Sequence, residues 1–258
     1  MKQSALAEKQ FGSTAASYLT SAVHAQGADL EALKKLMGRI AASSASPATT
    51  VLDLGCGGGH VSFAVAPLAS AVTACDLSAQ MLEVVAQAAT QRNLTNIRTV
   101  RAAAEKLPFA DASFDVVISR FSAHHWSDVP AGLKEMKRVL RPDGVIVVID
   151  IVAPEHPLHD TTLQAVELLR DASHVRDYRA SEWAAMFEAA GLVHQQQSSW
   201  KLKMIFDDWI ARMRTPPERV TAIRSLLQTA AEETRTYFSV EADDSFAIDA
   251  AFFEARKR

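Results

Sequence analysis

Residues 51–60 read VLDLGCGGGH. Val51, Leu52 and Leu54 flank a single aspartate and run straight into a turn holding Gly55, Gly57, Gly58 and Gly59. Glycines in such a place let backbone approach a ligand closely and let amides at the start of the next helix face it. The same turn also serves tight strand–helix packing, so taken alone it leaves both readings open. The rest of the chain has to choose between them.

Outward from this turn, residues 51–151 alternate between two periodicities. Strands are expected at 50–55 (TVLDLG), 71–77 (AVTACDL), 97–102 (IRTVRA), 114–121 (FDVVISRF) and 145–152 (VIVVIDIV). Helices are expected between them at 59–67, 79–92 and 128–140, the last with Asp128 as N-cap and Pro130 in its first turn. It runs into RPDG (141–144), a turn signal. Strand–helix alternation with continuous apolar strands implies a mostly parallel sheet covered on both faces, a doubly wound α/β fold.

The flanks differ in texture. Before the core, GADLEALKKLMGRI (27–40) places Leu30, Leu33, Leu36, Met37 and Ile40 at helical spacing, with Asp29 near the start. AASSASPATT (41–50) resembles a linker. After 152 come a loop, a helix in TTLQAVELLRDA, and a helix at 181–192 stopped by Gly191. A strand at about 193–205, a helical stretch at 207–235 broken by TPPE, and a strand at 246–257 complete the chain. Two late strands separated by helices suggest an insertion that covers a site.

Composition narrows the function. A hydrophobic content of 48% with 22% charged residues is that of a well-packed globular protein. A net charge of -3 offers no electrostatic footprint for nucleic acid. No apolar run approaches a membrane span, and the first residues lack the apolar core of a secretory signal. With two cysteines, Cys56 and Cys75, a disulfide scaffold is not expected, and a cytoplasmic location is. His156, His159 and His174 have no carboxylate or cysteine at ligand spacing, so no metal site is expected.

Two observations sharpen the turn. A dinucleotide fingerprint beginning at Gly55 requires a third glycine at position 60, where this chain has His60, so a pyrophosphate fits poorly. Asp76 ends the second strand and suits a carboxylate that accepts from the two hydroxyls of a ribose. It could instead cap the helix at 79–92, but Ser78 is better placed for that. Ribose binding without pyrophosphate binding points to an adenosine cofactor with a compact, charged tail.

At this point the sequence resembles a known family. VLDLGCGGGH, ACDLSAQML, AAAEKLPFADASFDVVISRFSAHHW and EMKRVLRPDGVIVVIDIV look like successive motifs of class I S-adenosylmethionine-dependent methyltransferases. The small-molecule members related to ubiquinone/menaquinone and natural-product methyltransferases are the most similar. The resemblance spans roughly 50–152 and implies a Rossmann-like, mostly parallel seven-stranded sheet with the last strand antiparallel. It further implies one methyltransferase domain: a helical cap at 1–47, a cofactor-binding core at 48–152, and C-terminal strands at 153–258. Within the last segment, a helical substrate cap is expected at about 207–238.

By the same resemblance, Gly55, Gly57 and Gly59 meet the methionine part of S-adenosyl-L-methionine, with Asp53 orienting the turn and the cofactor's amino group. Asp76 takes the ribose hydroxyls, Leu77 and Met81 flank the adenine, and Ala104 and Glu105 read its edge. Ser119 lies near the amino-acid end, and Tyr18 belongs to KQFGSTAASYLTSAV, the segment expected to fold over the cofactor. Ala103 is a departure, since the family commonly has an acidic residue there to accept from the adenine amino group.

On the acceptor side, SAHHWSD (122–128) follows the fourth strand. A histidine titrating near 6.5 suits the removal of a proton from a nucleophile. In some natural-product O-methyltransferases of this family, a histidine in this loop pairs with an aspartate at the end of the fifth strand. His124 and Asp150 stand in those places. His125 is the second candidate, either histidine could instead pack beneath the cofactor, and Asp150 could equally cap a loop. The expected partner is a small-molecule acceptor methylated on O, N or C. A non-catalytic cofactor-binding or regulatory protein on the same fold is the alternative.

Overall fold

The structure is a computed structural model that describes residues 2–12, 27–43 and 49–258. Tyr18 lies outside the described residues. Two helices, α1 (Gln3–Gly12) and α2 (Ala28–Ser43), precede the sheet. The core then alternates β1 (Thr50–Leu54), α3 (His60–Val65), β2 (Ala71–Asp76), α4 (Ala79–Gln91), β3 (Ile97–Arg101), β4 (Phe114–Arg120), α5 (Val129–Val139) and β5 (Leu140–Ala153). There follow α6 (Pro157–Arg170), β6 (Tyr178–Arg179), α7 (Ala180–Ala189), β7 (Leu192–Met204), three helices, α8 (Phe206–Met213), α9 (Pro217–Thr229) and α10 (Glu232–Tyr237), and β8 (Phe246–Lys257).

The strands form a sheet in the order β3-β2-β1-β4-β5-β8-β7, with the short β6 beside β5. β1 to β5 run parallel, while β8 pairs antiparallel with both β5 and β7. The expected doubly wound architecture is therefore present, including its antiparallel last strand. β6 makes an eighth strand that two residues of sequence could not announce.

Alternation along the strands sends side chains to two faces. Val51, Val116, Ile118, Val147 and Ile149 pack beneath α2 and α3, where Leu30, Leu33, Leu36 and Met37 form one buried helical stripe. Leu52, Leu54, Val117, Ile146 and Val148 pack on the other face with Leu133, Met136 and Val139 of α5 and Trp183 and Phe187 of α7. A third cluster joins the ends of β5, β7 and β8 to α6, α8 and α9 around Trp209, Phe206 and Phe246. The three helices inserted between β7 and β8 therefore sit at the carboxyl ends of the parallel strands.

RPDG is not the turn its composition suggests. The ladder pairs Phe114 with Leu140 and next Val116 with Val145, so residues 141–144 are accommodated inside β5 as a wide irregularity. Arg141 is held there by both carboxylate oxygens of Asp115 (2.7 and 2.8 Å), a tether no local propensity reveals. Gly191 does end α7 as expected, with φ +69, and Asp128 caps α5 by accepting from Ala131 N (2.9 Å).

One long-range polar contact fixes α2 to the sheet. Arg120, the last residue of β4, donates from Nε to Asp29 in the first turn of α2, and both side chains are 5% exposed. Breaking a buried ion pair by removing one partner typically costs roughly 3–5 kcal/mol. Asp29→Ala is expected to lower unfolding free energy by about that amount in urea titrations, whereas a change of about 0.5 kcal/mol, typical of surface sites, would show the pair to be dispensable.

Candidate active site

The carboxyl ends of β1 and β2 are tied at the glycine turn, where Gly55 and Cys56 both donate to the Cys75 carbonyl (2.8 and 3.0 Å). Gly55, Gly57 and Gly59 have φ of +72, +47 and +81, a region side chains resist. A Cβ on Gly55 would collide with the Ser122 side chain, and one on Gly59 with Phe63 and Val85. A Cβ on Gly57 would meet nothing. Its amide donates to Asp76 Oδ2 (2.9 Å), and Ser78 N donates to Asp76 Oδ1 (2.9 Å). The Ser78 hydroxyl caps α4 by accepting from Met81 N (3.2 Å), so Asp76 is not needed there. Burial raises the Asp76 pKa despite these amides, and further donors would favour its charged form.

Asp76 borders a cleft that runs along the strand ends. Asp53, Gly55, Gly57, Leu77, Met81, Ala104 and Glu105 line it, together with His124 and His125. Gly59 and Ser119 do not. Gly59 serves as the left-handed N-cap of α3, and Ser119 points to the α5 face of β4, one residue out of phase with Arg120, which does reach the cleft. Asp53 is fully enclosed and accepts from Ser62 N and Oγ (2.9 and 2.6 Å). Burial pushes its pKa up to about 6, against those two donors. Glu105 reaches the rim, but its Oε1 accepts from Ser127 N, Ser127 Oγ and Asp128 N (2.9, 2.7 and 3.2 Å), tying the loop before α5.

The histidine loop forms a 3-10 turn at Ala123–His125. His124 Nδ1 lies 2.6 Å from Asp150 Oδ1, while Asp150 Oδ2 accepts from Ala123 N (2.9 Å). Asp150 stands behind the histidine and does not line the cleft. Burial alone would lower the His124 pKa, but the Asp150 carboxylate outweighs it and holds His124 up at about 9. His125 packs 4.2 Å from His124, ring centre to ring centre. Burial and the positive charge of His124 push His125 down to about 3, and it meets the Ser173 carbonyl (3.2 Å) and the edge of Phe11. At neutral pH His124 is therefore cationic and its neighbour His125 neutral.

Several lining residues carried no readable sequence signal. Arg120 is bracketed by the buried carboxylates of Asp29 and Asp53. Glu167, Arg170, Asp171 and Asp177 come from α6 and the loop after it. Gln3, Ala7, Glu8 and Phe11 bring α1 across the opening, where Gln3 donates to Ser173 O (2.6 Å) and Glu8 pairs with Arg101. Cys56 and Cys75 are unpaired and buried, and burial drives both thiols up, Cys75 to about 12.

Comparison with known proteins settles the family. A family model described as a methyltransferase domain matches residues 52–148. The methyltransferase YcgJ of Bacillus subtilis (strain 168) is 35% identical over 256 residues, covering 97% of this chain and 99% of its own length. This chain belongs to the S-adenosylmethionine-dependent methyltransferases. The crystal structure of YcgJ superposes with a TM-score of 0.83, covering 89% of this chain and 98% of that one. The protein YafE of Escherichia coli (strain K12) is 50% identical over 199 residues, 77% of this methyltransferase and 96% of YafE. A demethylmenaquinone methyltransferase from Chlorobaculum parvum is 37% identical over 109 residues, 42% of this chain and 43% of its own.

The histidine dyad has a measurable consequence. Because the folded pKa of His124 is about 9, above the 6.5 of an exposed histidine, its contribution to stability is full below pH 6.5 and is lost as pH rises through 9. In an NMR titration, His124 of this methyltransferase is expected to titrate near 9 and to move well down in Asp150→Asn, where burial is opposed only by the weaker charges of Asp177 and Glu167. Titration of His124 near 6.5 in both proteins would contradict the pairing.

Proposed function

We propose that this chain binds S-adenosyl-L-methionine at the glycine turn and transfers its methyl group to an O, N or C nucleophile of a small molecule, releasing S-adenosylhomocysteine. The observation that carries this reading is the Asp76 carboxylate. It is anchored by the Gly57 and Ser78 amides at the strand-end cleft, and its charged form gains from further donors such as the two hydroxyls of a ribose. Leu77, Met81 and Ala104 would wall the adenine, while Gly55, Gly57 and Asp53 would meet the amino-acid end. Arg120 is a candidate for its carboxylate, because a guanidinium pairs well with that geometry. With the Glu105 Oε1 committed to the α5 loop, the second Glu105 oxygen or backbone would read the adenine edge.

When bound, S-adenosyl-L-methionine supplies a methyl group on a positively charged sulfur that leaves as a neutral thioether. The chain's task is then to align the nucleophile, exclude water and receive a proton. His124 fits the last role: Asp150 fixes Nδ1, which leaves Nε2 for the acceptor. Alone, the dyad is protonated at neutral pH. A positive charge brought to its open side opposes that state and lowers the His124 pKa toward the working range. Asp150 acts through His124 as a positioning residue, and His125, held neutral, fits a packing role beside it.

Helix α1 and the helices between β7 and β8 would cover the acceptor, in keeping with one methyltransferase domain capped from both ends of the chain. A net charge of -3 and the named small-molecule relative support a small acceptor over nucleic acid. Buried, unpaired cysteines suit a reducing cytoplasm. No helix among the described residues is long and apolar enough to cross a membrane.

Calorimetric titration tests the reading. Wild type is expected to bind S-adenosylhomocysteine saturably and NAD not at all, with affinity lowered about tenfold or more in Asp76→Ala. Absence of S-adenosylhomocysteine binding would overturn the assignment. Repeating the titration in buffers of different ionisation enthalpy isolates His124. S-adenosylmethionine is expected to release a proton that S-adenosylhomocysteine does not, and His124→Asn is expected to abolish the difference. Equal proton changes for both ligands would remove His124 from the site.

A further inference from the structure

The inner wall of the cleft holds two buried acids that the methyl-transfer reading does not use. Asp171 follows α6 and Asp177 precedes β6, their side chains are 2% and 1% exposed, and both line the cleft. Asp171 Oδ1 is fixed by Ser173 N and Oγ (both 2.7 Å). Asp177 is clamped through its backbone, with N donating to Gln164 Oε1 (3.1 Å) and O accepting from Gln164 Nε2 (2.8 Å). Each keeps a fully buried Oδ2 with no hydrogen-bond partner among the described residues. Asp171 Oδ2 lies 3.9 Å from His125 Nε2, beside the His124 ring. A buried acceptor left unmade is costly, so two lining one cleft call for donors.

The charges nearby say what kind of donor. Arg170 is committed to Glu167 (3.4 Å), to the Trp209 carbonyl (3.0 Å) and to the Trp209 ring. Arg176 bonds Asp160 (2.9 Å), and His124 is matched by Asp150. Arg212 also borders the cleft and has an interaction of its own. Asp171 Oδ2 and Asp177 Oδ2 instead face His125 Nε2 and His174 Nε2 (each 3.9 Å), imidazoles that burial holds neutral, and neither acid has a matched cation among the described residues. Burial drives the Asp177 pKa well above the carboxylate range, with the negative charges of Glu167 and Asp150 adding to it and the positive charges of His124 and Arg170 opposing it. A bound cation can replace that proton, whereas an alcohol satisfies the hydrogen bonds without the charge and a carboxylate is repelled. Among the described residues no group of three or more His, Cys, Asp or Glu is arranged to hold a metal ion, so an organic cation is favoured over a coordinated metal. Ile151, Leu202, Met204, Trp209 and Ile248 supply an apolar wall beside the acids.

We propose that the methyl acceptor is an amphipathic amine whose ammonium group is bound by Asp171 and Asp177 while its apolar body packs on the wall formed by β5, β7, α8 and β8. The inference rests on the methyltransferase reading of the same cleft, and it assigns the ammonium to recognition without naming the atom methylated.

The test is calorimetric, on full-length protein saturated with S-adenosylhomocysteine at neutral pH. The probes are benzylamine, phenethylamine and tryptamine, with 2-phenylethanol and 3-phenylpropanoate as the matched alcohol and acid. At least one amine is expected to bind saturably, with the alcohol about tenfold or more weaker and the acid not bound. Asp171→Asn and Asp177→Asn are expected to erase the preference for amine over alcohol while leaving S-adenosylhomocysteine affinity unchanged, which also reports that they fold. Equal binding of alcohol and amine, a preference that survives both substitutions, or no amine bound by wild type would overturn the proposal and leave the cofactor assignment standing. Failure of S-adenosylhomocysteine itself to bind would instead bring down the methyltransferase reading, and the acceptor class with it.

Discussion

The Asp76 carboxylate, held between the Gly57 and Ser78 amides, is the contact on which the site depends. It exists because β1 ends in three left-handed glycines, which turn the chain sharply enough to place the Gly57 amide over the end of β2. Two of those glycines are required by packing alone, since a side chain on Gly55 or Gly59 would strike Ser122, or Phe63 and Val85. Gly57 has open space around it and is free to face a ligand. The structural and functional readings of a glycine turn therefore both hold here, at different residues of the same five.

The fold was legible wherever periodicity carried it. Strands β1 to β5 and the helices between them follow from apolar runs and caps such as Ser78 and Asp128, which act within four residues of themselves. Legibility failed where a distant residue decided the outcome. RPDG reads as a turn, yet Asp115 on the neighbouring strand holds it in the ladder. Ser119 and Arg120 are adjacent in sequence, and only their phase on the sheet sends one into the core and the other to the cleft. Glu105 was read as facing adenine, but the loop before α5 draws on one of its oxygens. Asp171 and Asp177 have no motif, because they reach the cleft only through the packing of α6 and the loop after it.

Three neighbouring buried histidines, His124, His125 and His174, show how position sorts one residue type into different states. His124 has a carboxylate at 2.6 Å and is raised to about 9. His125 and His174 are also enclosed, lack such a contact, and are lowered to about 3 and about 2 by burial and by the charge on His124. Desolvation is common to all three, and the Asp150 contact decides which one carries the proton. Acid and cation are ordered in the same way along the inner wall, where Arg170 and Glu167 satisfy each other and leave Asp171 and Asp177 for the acceptor.

The most direct measurement of the central claim is a crystal structure of the protein with S-adenosylhomocysteine bound. The account predicts both ribose hydroxyls within about 2.5–3.0 Å of the Asp76 carboxylate, with the adenine between Leu77, Met81 and Ala104 and the sulfur toward His124. A nucleoside bound away from Asp76, or a sulfur facing away from the histidine loop, would contradict it.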